Sequence, residues 1–115
     1  MRRVSRGLLS ELEAALRLWG TIKDLKVSDE EKELLKAARD GEDRMRGVFI
    51  QLPGDMTTFP YIQAGNKHFN FDDPRITARY RKAFATLIKR GWVEYQGGVV
   101  FLLTADGWDA ADNLG

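Results

Sequence analysis

The sequence contains no cysteine. Disulfides, thiolate nucleophiles and thiolate metal sites are therefore excluded. Histidine is nearly absent as well, with His68 alone. No second histidine and no nearby acid pair stand at metal-ligand spacing, so His68 reads as a surface residue and no metal site is expected. With one histidine, and no nucleophile motif around Ser5, Ser10 or Ser28, a Ser-His-Asp triad has no support. No other acid, base and nucleophile converge, so the chain reads as a non-catalytic protein with no cofactor and no evident small-molecule substrate. Long apolar runs are missing too. None approaches the roughly 20 residues needed to span a bilayer, so no membrane partner is expected. The basic start Met1-Arg2-Arg3 is followed by Arg6, Glu11 and Glu13, which breaks up any signal-peptide core. A cytoplasmic location is the resulting expectation.

What is present is an ordinary globular composition, 43% hydrophobic over 115 residues. That suffices for one domain with a modest core. The net charge of +1 conceals a polarity. Residues 67–91 hold seven basic side chains against two acids, a net +5, whereas residues 92–115 hold four acids and no lysine or arginine, a net −4. Positive charge concentrates in the centre of the chain and negative charge at its C-terminal end.

The sharpest local signals lie in that basic centre. Asp73 is suited to cap a helix that begins at Pro74. Ile76, Tyr80, Phe84, Leu87 and Ile88 recur at helical spacing and predict a buried stripe, with Phe84 and Leu87 at its middle as core residues. Gly91 stands where a left-handed cap ends a helix. The β-rich runs 92–95 and 99–104, joined through Gln96-Gly97-Gly98, predict a hairpin. Trp92 and Trp108 are expected in the core and Tyr95 at the surface. On the far side of the predicted helix lie Ala78, Lys82, Ala85 and Lys89, flanked by Arg75 and Arg81.

Upstream, Leu9, Leu12, Leu16 and Trp19 keep a three–four spacing over about two heptads. Residues 1–26 are read as an amphipathic helix that packs on its own domain, dimerises, or links to a larger parent protein. Residues 27–115 are read as the domain. Ser28-Asp29-Glu30-Glu31 is a capping box. The helix it opens carries Leu34, Leu35, Ala37 and Ala38, and Gly41 can end it. Asp29, Glu30, Glu31 and Glu33 read as solvated charges that favour the positive helix end. Residues 48–52 and 59–62 predict a second hairpin around Pro53-Gly54-Asp55, with Pro60 assigning its second run to a sheet edge. Ala64-Gly65-Asn66-Lys67 reads as a further turn. Thr104 is suited to cap a short closing helix with Trp108, Ala111 and Leu114. The expected fold class is α+β, with helices packed against two small antiparallel hairpins.

The stretch Leu87-Ile88-Lys89-Arg90-Gly91-Trp92-Val93, followed by Leu103-Thr104-Ala105-Asp106-Gly107 and Ala111, resembles the winged-helix (winged helix-turn-helix) family. There a recognition helix ends in Leu-x-x-x-Gly-Leu-Ile, a two-stranded wing follows, and Leu-Thr-x-x-Gly-x-x-x-Ala opens the closing helix. The resemblance covers residues 80–114 by motif position and the helix at 29–40 loosely, and it implies a recognition helix over 74–90. The chain departs from the family at two places. Residues 42–71 look extended where a short helix would precede the recognition helix, and the wing tip carries no lysine or arginine. Two functions follow, because the fold alone does not choose between them. The first is association with duplex DNA through Arg75, Arg79, Arg81, Lys82, Lys89 and Gln96, with phosphate contacts giving affinity without sequence choice. The second is a protein-interaction or homodimerising accessory domain of a larger cytoplasmic protein.

Overall fold

A computed structural model describes residues 27–114. The expected seam of Leu9, Leu12, Leu16 and Trp19 lies outside the described residues. In chain order the elements are α1 (Asp29–Arg39), a 3-10 turn (Asp43–Met45), β1 (Val48–Leu52), β2 (Tyr61–Ala64), β3 (Lys67–Phe69), α2 (Pro74–Lys89), β4 (Val93–Gly97), β5 (Val100–Leu103) and α3 (Ala105–Asp112). The α+β class holds.

The two separate hairpins do not. The five strands form one antiparallel sheet in the order β3-β2-β1-β5-β4. Phe49 of β1 is paired with Ala64 on one side and Phe101 on the other, so β1 joins the two halves. A lone two-stranded hairpin is marginal in water, and merging the pairs satisfies two edges at once. The assignment of the second run to an edge is corrected for the same reason. β2 is interior, because Pro60 falls just before it and its missing N–H takes no part in the ladder. The edge on that side is β3, which returns through the turn at Gly65.

The local caps form as their residues dictate. The Ser28 hydroxyl accepts the Glu31 N–H and the Glu31 carboxylate accepts the Ser28 N–H, each at 3.1 Å. The Asp73 carboxylate accepts the Arg75 N–H at 2.9 Å. At the end of α2, the Gly91 N–H reaches the Ile88 carbonyl at 3.0 Å and the Trp92 N–H reaches that of Leu87 at 3.1 Å, with Gly91 at φ +81°. This double closure is a Schellman motif, and its positive φ explains the glycine. Thr104 then locks the next corner. Its hydroxyl donates to the Gly91 carbonyl at 2.7 Å and accepts the Gly107 N–H at 3.0 Å.

All three helices bury residues in one cluster with one face of the sheet. It contains Leu34, Leu35 and Ala38 from α1, Tyr80, Ala83, Phe84 and Leu87 from α2, Ala111 from α3, and Phe49, Ile62, Ala64, Phe69, Val93, Phe101 and Leu103 from the strands. Phe84 and Leu87 are core residues, 2% and 0% exposed. Tyr80 of the expected α2 stripe is buried as well, at 7% exposure, and the stripe departs from expectation at its two margins. Ile76 and Ile88 lie at its margins, 36% and 38% exposed, and Thr77 and Ala83 are buried instead. Thr77 is tolerated there because its hydroxyl accepts the Phe71 N–H and donates to the Phe71 carbonyl. Trp92 and Trp108 are half-buried and pack against the cluster from outside rather than within it.

Candidate nucleic-acid interface

The helix α2 carries the basic side chains. At 100° per residue, Arg75, Arg79, Lys82 and Lys89 fall within an arc of about 80° opposite the buried stripe. All four are exposed, and so is Arg81, which lies further round the helix. Arg75 stands 3.7 Å from the Asp73 carboxylate but remains 88% exposed. A pair that open to water contributes little. Arg79, Arg81, Lys82 and Lys89 have no ion pair among the described residues. Ala78 and Ala85 sit between them, and their small side chains leave the strip low enough for a flat or grooved partner to reach the cations. Gln96 is exposed near the tip of the β4–β5 hairpin, where the ladder is irregular between Tyr95 and Gly97. No hydrogen bond or ion pair ties it to the α2 cations.

Acids approach this strip at one flank. A cleft of about 240 Å³ between the start of α1 and the side of α2 is lined by Ser28, Glu30, Glu31, Arg79, Lys82 and Thr86, with Ala83 at its floor. Glu30 therefore faces the same space as Arg79 and Lys82. The reading of all four α1 acids as solvated surface is corrected here. Glu31 is 3% exposed and its carboxylate meets the Arg90 guanidinium at 2.7 Å, with side-chain exposures of 7% for the arginine and 4% for the glutamate. Burial of such a charge is tolerable only with a close partner. Arg90 also lies over the Trp92 ring at 5.1 Å. Glu33 accepts a hydrogen bond from the Tyr80 hydroxyl at 2.9 Å. Burial, with the Glu33 carboxylate second, pushes the Tyr80 phenol up to about 12. Arg90, a basic residue of the central segment, is thus a structural residue rather than part of the exposed strip.

His68 stands on the exposed edge strand β3, with its Nδ1 at 3.1 Å from the Tyr61 hydroxyl. Among the described residues no three His, Asp or Glu side chains gather as a metal site. No described helix is long and apolar enough to cross a membrane. The arrangement places exposed positive charge on one face of α2. Comparison with family models, curated proteins and solved structures finds no match for this chain.

Proposed function

We propose that this protein is a non-catalytic cytoplasmic binding module that associates with duplex DNA through the outward face of α2. The observation that carries this reading is the strip of Arg75, Arg79, Lys82 and Lys89 on one side of a 16-residue helix, three of the four without an ion pair among the described residues. A helix of that diameter enters the major groove, and its cations meet phosphates on either wall. Such contacts position a protein and carry no sequence code. The winged-helix resemblance supports the same reading. Its motif residues fall at the joints of the fold: Gly91 closes α2, Thr104 and Gly107 lock the entry to α3, and Ala111 is fully buried. The hairpin β2–β3 occupies the chain segment where the family has a short helix.

The rival reading is a protein-interaction accessory domain. One observation favours it, the cleft in which Glu30 faces Arg79 and Lys82 and so sets an acid beside the cations a polyanion would need. The two readings separate in a fluorescence anisotropy titration with random duplex. The DNA reading expects binding at about 50 mM salt that weakens strongly at about 200 mM. Arg75→Glu, Lys82→Glu and Lys89→Glu together should abolish it with an unchanged circular dichroism spectrum, since all three side chains are exposed. Absence of binding by the unmodified protein at the lower salt sinks the DNA reading.

A further inference from the structure

The sheet has one face that the three helices leave uncovered. Strand pairing sets Val48 beside Leu102, Ile50 beside Val100, and Leu52 beside Tyr61 on that face. All six are half-buried, and none belongs to the helix-side cluster or packs against it. Gln63 and His68 border them on one side and Glu94 on the other. Apolar side chains on an open sheet face gain from being covered. Its extent limits the occupant. Three strands at a spacing of about 4.8 Å, with four residue steps of about 3.3 Å along them, give a patch about 15 Å on each side, roughly 200 Å². That is far short of the roughly 800 Å² that each partner gives to a stable protein interface. It matches the footprint of about three turns of one helix, roughly 16 Å long and 10 Å wide.

We propose that residues 8–19 of this same chain cover the patch through Leu9, Leu12, Leu16 and Trp19. The twelve residues would span about 18 Å as a helix, and Gly20 follows where a helix is readily stopped. The tether is long enough. Val27 lines a cleft with Trp92, Ala110 and Leu114, so the described chain begins beside the start of β4, the outer strand of the sheet. Passing round that strand to the far face is a path of about 20 Å, two layer spacings. Residues 20–27 can extend to about 26 Å. The face holds Glu94 and no lysine or arginine, and residues 8–19 hold Glu11, Glu13 and Arg17, so apolar burial rather than charge would seat the segment. This inference is independent of the DNA reading.

The absence of cysteine gives disulfide trapping a clean background. In the full chain, Leu12→Cys or Leu16→Cys is combined with Ile50→Cys or Leu102→Cys, and with Ala85→Cys on the outer side of α2 as the control. After oxidation at low protein concentration, a disulfide at monomer mass is expected with Ile50→Cys or Leu102→Cys and not with Ala85→Cys. Free thiols in all four test pairs, equal trapping with the control, or disulfides only at dimer mass would overturn the proposal. The last outcome would seat the segment on a second copy. A measurement without cysteines guards against misfolded variants. Leu12→Glu with Leu16→Glu should raise binding of a hydrophobic dye several-fold, and adding Ile50→Thr and Leu102→Thr should remove that rise. Unchanged dye binding in the first variant also overturns the proposal.

Discussion

Glu31 and Arg90 form a buried charge pair that ties the first turn of α1 to the end of α2. The partners are worth little as a net attraction, because both were taken out of water, but removing one strands the other. Arg90→Met should therefore cost about 3–5 kcal/mol in a urea titration. Adding Glu31→Gln removes the stranded charge while a side-chain oxygen remains to accept the Ser28 N–H, so most of the loss should return. A double variant no more stable than the single one would show that Arg90 acts chiefly through its stacking on Trp92. Tyr80 gives a second test at this scale. Its phenol is held up at about 12, against an ordinary value of 10.0. The folded state thus holds this proton more tightly than the unfolded chain does. The resulting stability is whole below about pH 10 and is lost as pH rises towards about 12. Tyrosinate absorbance should show one tyrosine titrating late, and Tyr80→Phe should remove that late step. Three tyrosines titrating together would refute the assignment.

The corner where α2 ends and α3 begins depends on two glycines for different reasons. A Cβ at Gly91 would meet nothing within 4 Å, so only its φ of +81° resists substitution. Gly91→Ala should cost about 1–2 kcal/mol, the penalty of a left-handed alanine. A Cβ at Gly107 would collide with the Trp92 carbonyl oxygen, which is backbone and already accepts the Thr104 N–H. Gly107→Ala must displace α3 and should cost more than Gly91→Ala. Denaturant midpoints in the reverse order would show that α3 docks loosely. The contrast also marks what the sequence could disclose. Caps at Ser28, Asp73, Gly91 and Thr104 act within a few residues, so each was legible locally. The pairing of β1 with β5 links residues some 50 positions apart, and nothing local announces it. One signal did exist. The run Val48-Phe49-Ile50 is continuously apolar, as suits a strand with apolar neighbours on both faces, rather than alternating. Glu31 was illegible among its neighbouring acids, because its burial is decided by Arg90 on another helix. The exposed cations of α2, by contrast, followed from helical angle alone.

Across the whole molecule, α1 packs between α2 and α3. The helix that carries the basic strip and the helix that carries Asp106, Asp109 and Asp112 therefore flank α1 and meet at the Gly91–Thr104 corner. On the proposed reading such a polarity would orient a polyanion before contact, drawing it towards α2 and turning α3 away. On the proposed reading the cations of α2 meet the phosphates and the β4–β5 turn, which carries no lysine or arginine, does not. Arg75, Arg79, Lys82 and Lys89 on one arc can neutralise about 3–4 phosphates, so log K against log salt should fall with a slope near −3. The α3 acids act only from a distance. At about 0.15 M salt the screening length is about 8 Å, less than the width of the intervening helix. Asp109→Asn with Asp112→Asn, the acids further from the Gly91–Thr104 corner, should then leave the slope unchanged and raise affinity only at low salt. Lys82→Glu, on the strip itself, should flatten the slope by about one unit. The measurement is the same anisotropy titration carried across several salt concentrations. If the α3 substitutions alter the slope as much as Lys82→Glu does, binding is diffuse over the surface, and α2 is not the element that DNA contacts.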